Sequence, residues 1–524
     1  MSGAPPASPR VRLAGWHCIV LAWLAAYATR PLLLGFYDDD WAVLLIPAQQ
    51  TAAFSWPRLA HRLTLYANRP GNGLITCLLS SFCGESAWLW HAAIAGLALL
   101  SALAVRALCR ELLRFAQMPD RPAADLAACL WLLFPWTMGI TAWPTVCPAL
   151  ASLSFFALSG TLLLAGWRSG RPRTVPATLL FLASCLTYEF FYGQFLVLIA
   201  IGLLCAARDK TRYRQVRNAT LALAGVQLAA ITWNRLVPLF NQVAPSKTFY
   251  PLWWQAALNN LRRLPDMIGH STAEVSPTVE WLLLVGLMGW LLLWGLRVRR
   301  ADGRPPARRE LALAAACAFG VLLSIGVISL VNHRLKGLGL GSRTTTAVSL
   351  WLTGMLAVGL AAVPHRLRYA RAAYVLVLAG LLAVSTHARI GDWAGAWRLQ
   401  QKILAATPIT DLAHAQPGSV VLFFGPHEYR GVRVFGATWN LNRAMAYTYP
   451  AVAHLRFCEA REDRLTTWDG RRFEQRLRVA DARYARRTVW NQFEAPEVWV
   501  WEYGSPRAHP VQPPFIHPLE TARP

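Results

Sequence analysis

Three consecutive carboxylates are the first candidates for chemistry in this sequence. Asp38, Asp39 and Asp40 occur in the stretch "GFYDDDWAVLL", where Tyr37 and Trp41 flank them. Carboxylates in such a position can hold a cation or take a proton from a hydroxyl group, and in an ordinary loop they are simply solvated. Because adjacent negative charges raise one another's pKa, a functional triplet is expected in a wet, partly open cleft rather than in a dry core.

Cationic side chains form a second group of candidates. Arg69 stands in "NRPGNGL", and a short glycine-rich stretch, "NHRLKGLGLGSR", holds further basic and imidazole groups. A bound anion such as a lipid phosphate would explain cations in these places. The alternative is that they reach nearby lipid headgroups. The groups of the glycine-rich stretch are His333, Arg334, Lys336 and Arg343.

Two further features bear on the chemistry. Glu189, in "TYEFFYG", follows an apolar run. An acidic residue at membrane depth either belongs to a functional site or pairs with a structural partner such as an arginine. The ten cysteines are scattered, without a CxxC pair or a Cys/His ligand spacing, so no zinc site is predicted.

Long apolar runs are the elements that must position these residues. The chain of 524 residues is 55% hydrophobic and 15% charged, whereas a soluble protein is normally about one quarter charged. The runs are near the length that a helix needs to cross a bilayer. This predicts a mainly α fold, a polytopic transmembrane helical bundle of about eleven spans. The predicted spans are 13–34, 86–108, 123–143, 145–167, 174–190, 193–207, 218–240, 278–296, 311–331, 344–363 and 372–388.

The distribution of charge sets the predicted orientation. The formal charge is +25, but basic clusters such as "RSGRPR" and "RVRRADGRPPARR" lie between apolar runs, in alternate loops. This pattern is typical of loops that face the cytoplasm and not of a nucleic-acid-binding groove. We therefore expect a multi-pass membrane protein with a cytoplasmic N-terminus and an outer acidic triplet. The first apolar run ends in "AYA", as a signal peptide does; we favour an uncleaved anchor, and both interpretations leave the triplet outside.

Three segments are too long to be simple turns. The first, 36–85, alternates apolar and polar residues as an amphipathic helix at the membrane interface does, and the second is 241–277. The third is the part of the chain after about residue 389. Residues 1–389 are predicted to form the transmembrane domain, and residues 390–524 are predicted to form a soluble extracytoplasmic domain. There "SVVLFF" and "EVWVWEY" indicate strands and "DGRRFEQRLRVADARYARR" indicates a charged helix, so we expect a small α/β or α+β fold.

The order of these motifs resembles the GT-C superfamily of integral-membrane glycosyltransferases, which take sugars from polyprenyl-phosphate or related lipid carriers. The resemblance covers about residues 13–405 and does not extend to the rest of the C-terminal domain. Its features are "YDDDW" after the first span, a long outer loop ending in "NRPGNGL", an "FPW…AWP" turn, "TYE" at the end of a middle span, and "ARIGDWAGAWRLQQKIL" after the last span.

The resemblance implies a hexosyl or pentosyl transferase acting on the cell envelope, in a bacterial inner membrane. One acidic residue of the triplet would deprotonate an acceptor hydroxyl, and outer cations would stabilise the departing lipid phosphate. Asp39 and Asp40 match the acidic pair of the family, and Asp38 is an additional carboxylate. Some members also use a divalent cation, so Mg²⁺ or Mn²⁺ held by the triplet is a further expectation. The substrate-binding candidates are Tyr37, Trp41, Arg69, Glu189, His333, Arg334, Lys336 and Arg343.

Two other functional classes stay open. A flippase or assembly scaffold for envelope polysaccharide would also need outer cations that bind phosphate, although carboxylates would repel a pyrophosphate. A transporter typically places polar groups near the bilayer midplane, in broken helices of paired repeats, and no repeat is visible here. The sequence does not define the sugar, nor whether the acceptor is an envelope glycan, a lipid or a protein.

Overall fold

The computed structural model describes most of the chain. Predictions that fall on other positions, among them the span 278–296, parts of the loop 241–277 and Arg334, lie outside the described residues. The described residues are 15–44, 56–118, 122–206, 210–240, 250–270, 308–331, 333, 335–336, 339–362, 368–435, 438–460, 464–477 and 489–517.

Helices form most of the described chain, which confirms the mainly α prediction. Short 3₁₀ turns lie at Pro135–Thr137, Pro144–Val146, Glu189–Phe191, Gly339–Thr345 and Pro450–Val452. The α-helices are α1 Gly15–Tyr27, α2 Arg30–Leu33, α3 Asp40–Val43, α4 Trp56–Leu65, α5 Pro70–Cys83, α6 Ala87–Phe115, α7 Pro122–Leu132, α8 Met138–Thr141, α9 Pro148–Ser169, α10 Thr174–Thr187, α11 Phe195–Ala206, α12 Lys210–Phe240, α13 Trp253–His270, α14 Arg308–Leu330, α15 Thr346–Ala362, α16 Arg368–Ala405, α17 Ile409–Leu412 and α18 Thr438–Thr448.

Several of these helices are long and apolar enough to cross a membrane. Within the described ranges there are 5 by length and composition, or up to 6 if a bent pair counts as one span. The predicted number of about eleven spans is therefore not confirmed. The candidate spans are Ala87–Phe115, Pro144–Ser169, Glu310–Leu330, Gly341–Ala362 and Ala372–Ala405.

The bent pair replaces one straight span of the sequence prediction. Helix α7 and the segment Pro135–Thr141 meet at 56°, where the prediction had an unbroken helix over 123–143. Pro135 explains the break, because proline has no backbone N–H to donate and its ring clashes with the preceding turn. After the bend the chain passes through α8 into the 3₁₀ turn Pro144–Val146, which lies against α3.

Helix α16 continues through position 389, the predicted boundary between the two domains. Its outer part packs against the acidic segment and against the C-terminal domain. At Gly35 a Cβ atom would lie 1.9 Å from the Trp397 ring, and at Gly395 a Cβ would lie 2.1 Å from the Tyr429 ring. Only glycine permits these two close approaches, so the first outer segment and the C-terminal domain both contact one helix.

The C-terminal domain contains two four-stranded sheets and a hairpin, which confirms the predicted strands. In the first sheet, β1 Val420–Phe424 lies between β4 Arg456–Glu459 and β8 Val498–Glu502, and both pairings are parallel. The second sheet is antiparallel, in the order β10-β5-β6-β7. The remaining strands are β2 Glu428–Tyr429, β3 Val432–Arg433, β5 Arg464–Trp468, β6 Arg472–Leu477, β7 Val489–Glu494, β9 Ala508–Pro510 and β10 Phe515–His517.

The predicted charged helix is wrong over its first part. Strands β5 and β6 pair as an antiparallel hairpin whose turn contains Asp469 and Gly470. Gly470 has φ +103°, and the Asp469 side chain accepts the backbone N–H of Arg471 at 2.9 Å. An Asp-Gly pair is a strong hairpin signal. The rest of the predicted helix, 478–487, lies outside the described residues.

Candidate active site

Asp40 is the most firmly held carboxylate of the triplet. Its side chain is fully buried, and its Oδ2 accepts the backbone N–H of Tyr37 at 2.7 Å. Its Oδ1 accepts the backbone N–H of Thr145 at 2.7 Å and also the Thr145 hydroxyl. Burial raises the pKa of Asp40, and these donors oppose the rise. Because both oxygens face protein donors, Asp40 anchors the loop and has no exposed face for a substrate.

Asp38 lies at the junction with the C-terminal domain. It is 7% exposed, and its Oδ1 accepts a hydrogen bond of 2.9 Å from Nδ2 of Asn440. Burial raises the pKa of Asp38 to about 7; Asp39 adds to the rise, while Arg433 and Arg343 oppose it. The expectation of a wet cleft is therefore wrong for Asp38 and for Asp40.

Asp39 is the most exposed carboxylate of the triplet and is half-buried. It precedes α3, and its backbone carbonyl accepts the N–H of Val43 at 2.8 Å. Burial raises the pKa of Tyr66, and the charge of Asp39 raises it further. As the most exposed of the three carboxylates, Asp39 is the triplet member best placed to meet a substrate hydroxyl.

Tyr37 and Trp41 pack the acidic loop against α16. The Tyr37 hydroxyl donates to the Trp393 carbonyl at 2.9 Å, and the Trp41 indole N–H donates to Oε1 of Gln400 at 3.0 Å. Both aromatic side chains are buried, and the Trp41 ring stacks on Trp397 with ring centroids 6.1 Å apart. Their interior position gives them a positioning role for the loop, and their predicted role in substrate binding stays untested.

Two motifs that lie far apart in the sequence meet in an ion pair. Arg69, at the start of α5, pairs with the carboxylate of Glu189, which lies just after the C-terminal end of α10. The Arg69 guanidinium also lies 4.6 Å from the Tyr188 ring centroid. The sequence left two alternatives for Glu189, a functional site or a structural partner such as an arginine. The structure shows an arginine partner. The side chains are 18% and 15% exposed, and the charge of Arg69 also acts on Tyr66, so the pair borders the neighbourhood of Asp39.

Arg343 acts on the triplet through its positive charge. It lies in the 3₁₀ helix Gly339–Thr345, and its guanidinium is 4.9 Å from the Trp143 ring centroid. Two arginines lower the pKa of Asp38: Arg433 belongs to the C-terminal domain, and Arg343 belongs to the helical part of the chain. Lys336 is exposed, and His333 is half-buried with its carbonyl accepting from Nδ2 of Asn260 at 3.0 Å. Of the predicted cations, Arg343 is the one whose charge acts on Asp38.

The predicted metal site has no matching geometry in the described residues. Among them, no group of three or more His, Cys, Asp and Glu side chains is arranged to hold a metal ion. Asp40 is surrounded by hydrogen-bond donors, and Asp38 accepts from an amide. The triplet therefore does not fit a three-carboxylate cation site, and no step below is assigned to Mg²⁺ or Mn²⁺.

The sequence analysis missed several residues of this site. Thr145 lies in the "AWPT" turn, but nothing in its local pattern points to a carboxylate 105 positions earlier. Asn440 and Arg433 lie in the C-terminal domain, where no pattern links them to Asp38. The proline-rich stretch around residue 144 was the most informative sequence feature. It predicts a turn at Thr145, but it does not indicate that this turn contacts Asp40.

Comparisons with known proteins give a similarity to solved structures. No family model matches the chain, and no curated protein matches it either. The chain is similar to a crystal structure of ArnT from Cupriavidus metallidurans bound to undecaprenyl phosphate, with 14% identity and a TM-score of 0.38. The similarity covers 86% of this chain and 86% of that chain.

Proposed function

We propose that this chain is a membrane glycosyltransferase that moves a hexose or pentose from a polyprenyl-phosphate carrier to a cell-envelope acceptor on the outer face of the membrane. One observation carries the proposal. Asp39 is half-exposed between two carboxylates that the protein holds in place, and the positive charge of Arg343 acts on Asp38 of the same triplet. A partly accessible carboxylate near fixed positive charge is suited to base catalysis with an anionic leaving group.

In the proposed reaction, the carboxylate of Asp39 accepts the proton of an acceptor hydroxyl. The hydroxyl oxygen forms a bond to the anomeric carbon of the sugar, and the bond from that carbon to the phosphate oxygen of the lipid breaks. The bonding electrons leave with the lipid phosphate, which gains a negative charge. Asp38 and Asp40 hold the loop in register, so the base and the attacking oxygen meet without a large loss of entropy.

Arg343 and Arg69 are the proposed contacts of the lipid phosphate. Arg343 acts on Asp38 through its charge, and Arg69 acts on Tyr66 beside Asp39. Glu189 holds Arg69, which fixes the direction of its guanidinium. Guanidinium groups suit phosphate because they offer paired N–H donors and stay charged. A negative charge that grows during the reaction is therefore stabilised by groups already in place.

Incubation of the purified protein with labelled polyprenyl-phosphate sugars and an envelope fraction tests the proposal. We expect label to move from the lipid to an acceptor, and Asp39→Asn to slow the transfer without preventing donor binding. Glu502→Gln, which removes an exposed carboxylate charge of the C-terminal domain, is the matched control for loss of a negative surface charge. Donor binding without transfer to any acceptor would contradict an enzyme.

A flippase or assembly scaffold is the second candidate. The cations Arg69 and Arg343 support it, because such a protein also needs to bind phosphate outside the membrane. The half-exposed carboxylate beside them favours the enzyme, since a negative charge repels a pyrophosphate carrier. Binding of polyprenyl-pyrophosphate that is unaffected by Asp39→Asn, without sugar transfer, would favour the scaffold. A transporter has no comparable support in the described residues.

A further inference from the structure

We propose that Asn440 is a positioning residue of the candidate active site, through which the C-terminal domain holds the acidic loop in its working geometry. The inference rests on the proposed function and adds a role for the domain that the sequence analysis left without one. Its consequence is that the C-terminal domain is part of the site and not a separate appendage.

The contact joins two parts of the chain that are distant in sequence. Nδ2 of Asn440, in helix α18, donates to Oδ1 of Asp38 at 2.9 Å, across 402 positions. Helix α18 also packs against α3, where the Tyr447 ring lies 6.3 Å from the Trp41 ring centroid. The Tyr447 hydroxyl donates to Glu85 at 2.7 Å. Helix α18 is thus attached to the first outer segment at two further places besides the Asp38 contact.

The environment of Asn440 indicates that the contact to Asp38 is its main polar role. The side chain is fully buried, and its Oδ1 has no hydrogen-bond partner in the described chain. A buried amide with one end unsatisfied destabilises a domain, so packing alone would favour an apolar residue here. The bond to Asp38 is the described feature that an apolar residue could not replace.

The backbone of Asp38 needs such support. Its φ is +42°, in the left-handed region that residues other than glycine rarely adopt. A residue in this conformation persists when its surroundings fix it. Asp39 follows directly, so a change in the Asp38 backbone moves the carboxylate of the proposed base. Asn440 holds the side chain of Asp38 from one direction, while Asp40 holds the other end of the triplet on Thr145.

The charged groups that act on Asp38 come from three parts of the described chain. Asp39 is its neighbour on the loop, Arg343 comes from the 3₁₀ helix before α15, and Arg433 and Glu459 come from the C-terminal domain. Asn440 is the uncharged donor among them. An amide can donate to Asp38 in either protonation state, so the contact is retained when the carboxyl titrates.

Two substitutions at Asn440 separate positioning from general destabilisation. Asn440→Ala removes the donor, and we expect kcat for sugar transfer to fall about 10- to 100-fold with a nearly unchanged KM for the donor, because a displaced base slows the reaction step. Asn440→Asp places a second carboxyl beside Asp38. At low pH the two carboxyls share one proton and the bond forms, whereas at high pH both are ionised and repel. Its rate relative to the wild type is therefore expected to fall as pH rises.

Asn442→Ala is the matched control on the same helix. Oδ1 of Asn442 accepts the backbone N–H of Phe457, so this amide connects α18 to β4 inside the C-terminal domain. We expect it to lower the unfolding temperature without changing the pH profile of transfer. Equal losses of kcat in Asn442→Ala and Asn440→Ala, or wild-type kcat and pH profile in both Asn440 variants, would overturn the inference while leaving the proposed function intact.

Amide hydrogen exchange gives a readout that does not depend on transfer. In Asn440→Ala, we expect exchange of the segment 36–44 to accelerate about tenfold relative to the wild type, and in Asn442→Ala to stay unchanged. If the wild type transfers no sugar, the proposed function fails, and this comparison still decides whether Asn440 holds the loop. Unchanged exchange of 36–44 in Asn440→Ala overturns the positioning role.

Discussion

Thr145 donates both its backbone N–H and its hydroxyl to the same oxygen of Asp40. The two residues are 105 positions apart, and the 3₁₀ turn that begins at Pro144 brings them together. This contact fixes one end of the acidic triplet to the membrane domain. It also distinguishes the roles of two members of the triplet. Asp40 accepts hydrogen bonds from three protein donors, whereas Asp39 is half-exposed.

Asp40→Asn is expected to destabilise the fold. Whichever way the new amide is oriented, its NH₂ group faces a protein donor, at Tyr37 or at Thr145. Leaving a buried donor without an acceptor costs about 1–3 kcal/mol. Thermal unfolding in detergent should therefore show a lower midpoint for this variant than for Asp39→Asn. Equal midpoints for the two variants would show that Asp40 is not an anchor.

Asp39→Asn is expected to slow sugar transfer by about 10² to 10⁴, which corresponds to roughly 3–5 kcal/mol of barrier. The substitution retains the shape of the side chain and removes its charge. Because Asp39 is half-exposed, membrane insertion and the unfolding midpoint should remain normal. Initial rates with a labelled lipid-linked sugar measure the effect. Transfer at the wild-type rate would mean that Asp39 is a solvated loop residue.

Arg343→Ala and Arg69→Ala are expected to weaken use of the lipid donor. Each removes a guanidinium beside the triplet, and we expect the KM for the donor to rise about tenfold, the usual scale for a charge-assisted hydrogen bond of about 1.5 kcal/mol. Arg443→Ala, which changes an exposed arginine of α18, is the control for net charge. Unchanged donor kinetics in both variants would indicate that these cations contact lipid headgroups and not the phosphate of the donor.

The stability of the protein is expected to depend on pH through Asp38. Its pKa rises from the ordinary 3.8 to about 7 in the folded protein, mainly through burial and then through Asp39. Between these values the folded state binds more protons than the unfolded state, so the contribution of Asp38 to stability falls as pH rises through this window. Unfolding midpoints from pH 4 to pH 8 should fall less steeply in Asp38→Asn. Parallel curves for variant and wild type would contradict the raised pKa.

The basic loops predict the orientation of the chain in the membrane. Alkaline phosphatase joined after Arg398, in the outer part of α16, should be active because the predicted position is outside the cytoplasm. Fusion after "RSGRPR", in a predicted cytoplasmic loop, is the matched control and should be inactive. Inactivity of the first fusion would invert the topology and remove the triplet from the outer face.

The fold was predictable where the pattern of residues is local. Apolar runs predicted the positions of helices such as α6 and α9, because a helix interior of this kind is set by its own composition. To predict the bend after α7, the helix-breaking effect of Pro135 had to be weighed against the apolar run around it. The strand β6 was missed because its charges suggested a helix, while the Asp469-Gly470 turn before it indicated a hairpin.

The candidate site was only partly predictable, because its contacts are non-local. Both "NRP" and "TYE" were recognised as candidates, yet nothing in either motif indicates that Arg69 and Glu189 pair with each other. The three aspartates are chemically identical in the sequence. Their different roles arise from partners such as Thr145 and Asn440, which lie 105 and 402 positions away.

Helix α16 has a mechanical consequence. Its 38 residues give a rod of about 57 Å, whereas the hydrocarbon core of a bilayer is about 30 Å thick. The part beyond the core carries Trp393 and Trp397 against the acidic loop and Gly395 against Tyr429. Because the helix is continuous, a change of about 10° in its direction displaces its far end by roughly 10 Å. The apolar stretch Ala372–Ala405 and the contacts to the acidic loop are thereby coupled through one helix.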